Sequence, residues 1–245
     1  MPGEVRHEMQ RIKILGKNEG NNLGAVIVAA GASQRMAGIN KLFAPLMGKP
    51  LLAWSVDTCQ GHRLVQQIVL VLSDDDLAWG QKLKKERGWS KVALCPGGAR
   101  RQDSVREGLK QIRDCDLVMI HDGARPFLTT DLIEDGLKLV GKTEAAVAAV
   151  PVKDTIKLAD SERLIKETLK RDRLWAAQTP QIFSFDVIAR AYENFAAEVT
   201  DDAAAVEDLG YKVHVYMGDY KNIKVTTAED LELARIIAKK WKEKN

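Results

Sequence analysis

The sequence predicts a doubly wound α/β fold, a mainly parallel sheet covered by helices on both faces. Two observations carry this expectation. Short apolar runs recur along the chain, with the length and unbroken hydrophobicity of strands buried on both sides. Amphipathic segments of helical period lie between them, as β–α–β crossovers require. Composition agrees, since 245 residues of which 45% are hydrophobic and 29% charged describe an ordinary globular chain. A chain of that length buries enough surface to fold without disulfides or a structural metal.

Residues 1–23 are polar, lack a period and gather Gly, Asn and Lys at 16–22. They read as a flexible N-terminal extension ahead of a single domain over 24–245; a basic partner-binding tail (Arg6, Arg11, Lys13, Lys17) is the alternative. From Ala25 the pattern changes abruptly. Strands are expected at 25–30, 67–72, 91–95, 116–120, 145–150 and 212–217, and helices near 50–60, 75–87, 102–113 and 129–141. Pro50 suits a first helical turn, and Asp103–Ser104 a polar N-terminal turn. A last helix over 227–242 has Thr227 as cap, Glu229 and Asp230 in its first turn and Lys239, Lys240 and Lys242 in its last, where the helix dipole favours them.

One stretch breaks the alternation. Residues 152–175 alternate around Thr155–Leu158 and again around Leu164–Lys166, with Ala-Asp-Ser-Glu as a turn between. That is a β-hairpin, not a crossover helix. It is too poor in apolar residues to stand alone, so it is expected to project as an arm against a second subunit.

Charge and cysteine usage narrow the function. A net charge of +3, with no aromatic-basic stripe, argues against a nucleic-acid binder. Cys59, Cys95 and Cys115 form no CxxC pair and read as buried free thiols of a reducing compartment. No segment reaches the roughly 18–20 apolar residues of a membrane span, and the first residues lack the apolar stretch of a secretory signal. A cytoplasmic protein is expected.

Three loops at strand ends carry the chemistry. Ala29-Ala30-Gly31-Ala32-Ser33-Gln34-Arg35-Met36 follows the first buried strand. It matches neither the dinucleotide fingerprint nor a P-loop, because Gly48-Lys49 is followed by Pro50. Small residues there let backbone N–H groups approach phosphate oxygens. Arg35 and Lys41 add fixed positive charge, as a triphosphate under attack needs. Gly97-Gly98-Ala99-Arg100-Arg101-Gln102-Asp103-Ser104 joins another strand to a helix; its glycines permit close approach of a planar base that Ser104 can hydrogen-bond. His121-Asp122-Gly123-Ala124-Arg125-Pro126 ends the strand 116–120 and faces the crevice where open α/β sheets bind ligands. Asp122 suits Mg²⁺ or a ribose hydroxyl and Arg125 an anion, whereas His121 reads as a satisfied buried histidine.

Taken together, AAGxxxRM…K, GGxxRxDSV, HDGARP, PVKDTIK, LWxxQTPQ, TDDAxxVE and NIKVTTxED, in this order from about Ala25 to Ala238, closely resemble the 2-C-methyl-D-erythritol 4-phosphate cytidylyltransferases. The resemblance implies a Rossmann-like nucleotidyltransferase sheet, a homodimer joined through a protruding β-arm, and transfer of CMP from CTP to methylerythritol phosphate with Mg²⁺. The substrate's own phosphate would attack in line, so the protein acts by positioning and electrostatics. It further implies that Arg35 and Lys41 stabilise the transition state, and that Arg171 and Lys224 place the substrate phosphate. Ala29, Ala30, Gly31, Gly98, Ser104, Asp122 and Gly123 match nucleotide contacts. Asp122, Arg125, Thr155 and Thr179 match substrate contacts, with Thr155 and Arg171 donated by the neighbouring arm.

Some positions depart from the family pattern. Ala99 stands where relatives often carry an acid, Asn40-Lys41-Leu42-Phe43 replaces the commoner framing of the lysine, and Gly123 replaces a frequent Ala. Lys221 occupies the place of an acid that would partner Lys224, with Asp219 as the candidate substitute. A ribitol 5-phosphate cytidylyltransferase shares these loops and the arm. A nucleotide-binding regulator is the reading from another class, although Arg35, Lys41 and Asp122 are all retained.

Overall fold

A computed structural model describes residues 22–31, 41–194 and 200–242. The chain runs through β1 (Leu23–Ala29), a 3₁₀ turn (Lys41–Phe43), a small hairpin of β2 (Pro45–Leu46) and β3 (Lys49–Pro50), α1 (Leu51–Gly61), β4 (Val65–Leu72), α2 (Leu77–Arg87), β5 (Val92–Pro96), α3 (Arg101–Leu109), β6 (Leu117–Asp122), α4 (Thr130–Thr143) and β7 (Ala145–Pro151). It continues with β8 (Lys157–Ala159), β9 (Ile165–Thr168), β10 (Trp175–Ser184), α5 (Phe185–Asn194), α6 (Asp202–Asp208), β11 (His214–Met217) and α7 (Ala228–Lys242).

Seven strands form one sheet in the order β11-β7-β10-β6-β1-β4-β5. β1 lies parallel to both β4 and β6, and β4 to β5. β10 runs antiparallel between β6 and β7. Alternate residues of β1 feed two separate cores. Leu23, Ala25 and Ile27 pack with α1, α4 and α7, while Val26 and Val28 pack with α3, α5 and α6. Both faces are covered, which is why β1 is buried at every residue. Among the described residues no helix is long and apolar enough to cross a membrane.

The first strand starts at Leu23, inside the stretch read as an extension, because Leu23 pairs with both Val65 and Leu117. The Asn22 carbonyl accepts from the backbone N–H groups of Asp116 and Leu117, tying the chain down one residue earlier. Residues 1–21 lie outside the described residues. Cys59 and Cys95 are buried free thiols as expected, but Cys115 is only half-buried.

The 152–175 hairpin is present. β8 and β9 pair antiparallel as a two-stranded sheet of their own, and every residue of both strands is exposed. Leu158, Leu164, Ile165 and Trp175 all expose large apolar side chains along it. β10 was not marked by the sequence, because Pro180 and the glutamines around it interrupt the apolar run. The structure accommodates Pro180 in a register irregularity between Ala177 and Gln181, where the pairing with β7 lapses.

The sheet topology places the site. From β1 the chain steps through β4 and β5 on one side, then returns to β6 on the other. The carboxyl ends of β1 and β6 therefore diverge at a switch point, where a crevice opens for ligands.

Candidate active site

Asp122, the last residue of β6, organises the crevice. It is only 6% exposed, yet three cations converge on its carboxylate. Arg101 Nε lies 3.1 Å from Oδ1, while Lys224 Nζ and Arg125 Nε lie 3.1 and 3.4 Å from Oδ2. Burial alone would raise its pKa, but Arg101, Lys224 and Arg125 outweigh burial and hold the carboxyl well below the usual carboxylate range.

Local backbone chemistry explains the convergence. The Arg125 N–H donates to the Asp122 carbonyl at 3.0 Å, closing a tight turn that folds Arg125 back over the carboxylate. Arg101 stands in the first turn of α3. There Asp103 accepts from the Arg100 backbone N–H and from its guanidinium, fixing the helix start. Lys224 sits between two anchors: Asn222 N–H donates to the Asp219 carbonyl, and Val225 N–H to the Ala124 carbonyl. Asp219 is spent on the Lys221 backbone N–H. The acid that partners Lys224 is thus Asp122, which answers the departure at Lys221.

The glycine loop is shaped first by its own packing. A Cβ on Gly97 would lie 2.2 Å from the Ala30 Cβ, and one on Gly98 2.4 Å from the Asp103 Cβ. Glycine is therefore required for β5 to reach α3 beside the end of β1. Ser104 is buried, and its Oγ accepts the Gly98 N–H at 3.1 Å, so it holds this turn closed. Ala29 closes β1, Ala30 is half-buried beside it, and Gly31 is exposed with open space where a side chain would be. Gly123 N–H donates to the Val28 carbonyl at 2.8 Å, clamping the two diverging strands together.

Lys41 opens the 3₁₀ turn, and its ammonium feels the charge of Lys224. Burial and the charge of Lys224 lower its pKa, opposed by Asp230. The two lysines thus share one electrostatic neighbourhood. Arg35 lies outside the described residues. Thr155 and Arg171 are on the exposed arm, and the Arg171 Nη1 donates to the Lys153 carbonyl at 2.6 Å. Among the described residues, no hydrogen bond or ion pair connects either of them with Asp122 in the same chain.

Four residues given no role by the sequence complete the arrangement. Arg101 bridges outward as well, forking onto Asp202 at 3.0 and 2.7 Å, and Tyr192 donates its hydroxyl to Asp202 at 2.6 Å. Asp202 is completely buried, and its charge and that of Arg101 satisfy one another. Asn222, also fully buried, donates to the Thr179 carbonyl at 2.7 Å and accepts Arg125 Nη1 on its backbone oxygen, also at 2.7 Å. The paired acids of Thr200-Asp201-Asp202 opposite Arg100-Arg101 were the available signal for the first group. Asn222 opens the NIKVTTxED segment, but only the lysine of that segment was given a role.

Residues 23–240 match the family model of the 2-C-methyl-D-erythritol 4-phosphate cytidylyltransferases. The chain belongs to this family. A cytidylyltransferase of Dehalococcoides mccartyi (strain CBDB1) is 48% identical over 89% of this chain and 96% of its own length. One from Caldanaerobacter subterraneus is 41% identical over 89% of this chain and 100% of its own. Among solved structures, the 4-diphosphocytidyl-2C-methyl-D-erythritol synthase of Anaerococcus prevotii superposes with a TM-score of 0.82 at 31% identity, covering 90% of this chain and 97% of that one. The cytidylyltransferase of Thermus thermophilus gives 0.71 at 28% identity, over 89% and 99%. The family match therefore spans the whole sheet and the arm.

Proposed function

We infer that the chain transfers the cytidylyl group of CTP to 2-C-methyl-D-erythritol 4-phosphate, releasing pyrophosphate and giving 4-diphosphocytidyl-2-C-methyl-D-erythritol. The observation that carries this reading is the excess of cations over acids around Asp122 at the switch point. Arg101, Arg125, Lys224 and Lys41 surround a crevice whose neutralising acids are Asp122, Asp202 and Asp230. Such a site is built for ligands that are themselves multiply anionic.

Each side chain then has a task. Lys41, with Arg35, neutralises charge gathering on the α-phosphate and the departing pyrophosphate. Lys224 and Arg125 hold the incoming phosphate, whose ionised oxygen needs no base to attack. The N–H groups about Ala29, Ala30 and Gly31 cradle the triphosphate, and the Gly98–Ser104 turn with Asp122 and Gly123 takes the nucleoside. Thr155 and Arg171 reach the active site of a second subunit, and the apolar arm residues form the contact between subunits. The three free cysteines suit a reducing, cytoplasmic setting.

A divalent cation fits this site only as a companion of the triphosphate. Among the described residues no three His, Cys, Asp or Glu side chains converge, so Asp122 would hold Mg²⁺ together with phosphate oxygens and water. When bound, the cation supplies charge neutralisation to the phosphates. The test is pyrophosphate release from CTP with a panel of polyol phosphates. Turnover should be fastest with the methylerythritol compound; ribitol 5-phosphate turned over faster, or no pyrophosphate released, would overturn the reading.

A further inference from the structure

We propose that His121 is a positioning residue for substrate specificity: it makes the Thr179 hydroxyl an acceptor-only group toward the ligand. Three hydrogen bonds lead to this. The backbone N–H of Asp122 donates to Thr179 Oγ1 at 3.0 Å. Thr179 Oγ1 also lies 3.0 Å from His121 Nδ1, and His121 Nε2 lies 3.0 Å from the Arg125 carbonyl oxygen.

A carbonyl oxygen only accepts, so Nε2 must carry a proton. His121 is completely buried and its two ring nitrogens meet a carbonyl and a hydroxyl rather than an anion, so the ring is kept neutral. Nδ1 is then a bare lone pair, and the single proton of the Thr179 hydroxyl must point at it. A hydroxyl has one donor and two acceptor sites. The donor is spent on His121 and one acceptor on Asp122 N–H. What remains is one lone pair.

Resting on the substrate reading above, this has a chemical consequence. A phosphate oxygen is itself an acceptor and gains nothing at Thr179, whereas a hydroxyl of the polyol can donate to it. The phosphate is left to Lys224 and Arg125. The same ring of bonds closes through Asn222, which holds the Thr179 carbonyl with its side chain and Arg125 with its backbone oxygen. His121 thereby separates where the polyol binds from where its phosphate binds, without touching either.

Two measurements test it. The ¹⁵N spectrum of labelled imidazole in the free protein should show His121 as the neutral Nε2–H tautomer with a hydrogen-bonded Nδ1 between pH 6 and 9; an Nδ1–H tautomer or an imidazolium would overturn the proposal. Separately, polyol phosphate analogues with single hydroxyls replaced by fluorine or by hydrogen are assayed with the wild-type enzyme. At one position both replacements should lower kcat/KM by a similar ~10-fold or more, since fluorine accepts but cannot donate. Fluorine preserving the rate where hydrogen loses it, or no position showing the loss, would refute the acceptor role. In His121→Phe the freed hydroxyl can donate, and the fluoro analogue should outperform the deoxy one; should that variant not fold, the wild-type series decides. If no polyol phosphate is turned over at all, the substrate reading falls and the spectrum alone judges His121.

Discussion

Replacing Asp122 by Asn keeps its shape but strands Arg101, Arg125 and Lys224 without the anion they share. Breaking a buried ion cluster on one side costs about 3–5 kcal/mol, and urea denaturation at pH 7 should show a loss of that order. Ligand phosphates should restore part of it by supplying the missing negative charge, and a variant as stable as wild type would contradict the cluster's energetics. Lys41→Ala should lower kcat at least ~10²-fold, the scale of losing one electrostatic stabiliser. Turnover near wild type would remove the lysine from its assigned role. Because the Lys41 pKa is lowered, chiefly by burial and then by Lys224, the alkaline limb of kcat/KM for CTP should fall below the ordinary lysine range. Lys41→Arg should push that limb to higher pH. Of these residues the sequence marked Asp122, Arg125 and Lys41 through their loops, and Lys224 through the family resemblance. It gave no role to Arg101, Asp202 and Asn222, although each stands in a quoted segment, because their partners lie 101, 101 and 43 positions away along the chain.

Among the elements, the arm makes the most testable claim. β8 and β9 expose every residue, so their apolar side chains gain burial only from another chain. If the partner of that surface is a second subunit and Arg171 acts across the interface, Lys41→Ala and Arg171→Ala should rescue each other after mixing and subunit exchange. Random pairing makes about half the dimers mixed, each with one intact site, so about a quarter of wild-type activity should return. Each variant alone should stay inactive, and a dead mixture despite proven exchange would exclude action in trans. The arm was legible because its alternation is local. The glycine loop and the cap at Thr227, whose Oγ1 accepts the Asp230 N–H at 3.3 Å, were legible for the same reason. β10 was not, since its strand character comes from being wedged between β6 and β7 rather than from its own letters. The helices α5 and α6 follow from it. Once β10 ends, they cover the second face of the sheet.

For the whole molecule, the buried neutral imidazole of His121 links stability to acidity. Its pKa of about 4 in the fold lies below the 6.5 of a free imidazole, so the unfolded chain binds the extra proton between these values. Stability is fully present above pH 6.5 and is lost as pH falls toward 4, by about 3 kcal/mol in total. His62, whose pKa is also lowered by burial, acts in the same direction. Unfolding midpoints in urea should therefore decline steadily from pH 7 to pH 4.5, and a flat profile would mean that His121 is charged in the native state.

The place of β10 in the sheet bears on how the chain is born. β1, β4, β5 and β6 can assemble as soon as residue 122 is made, but β7 has no neighbour in that group. It joins only through β10, which comes after the whole arm. Until residue 184 has been synthesised, the emerging protein carries a four-stranded sheet with β6 as an unpaired edge and β7 as an isolated strand, edges of the kind that invite aggregation. Ribosome-stalled chains ending near residue 170 should accordingly bind chaperones and resist compaction. Chains extended past 184 should gain protease resistance sharply, because β10 joins β6 to β7.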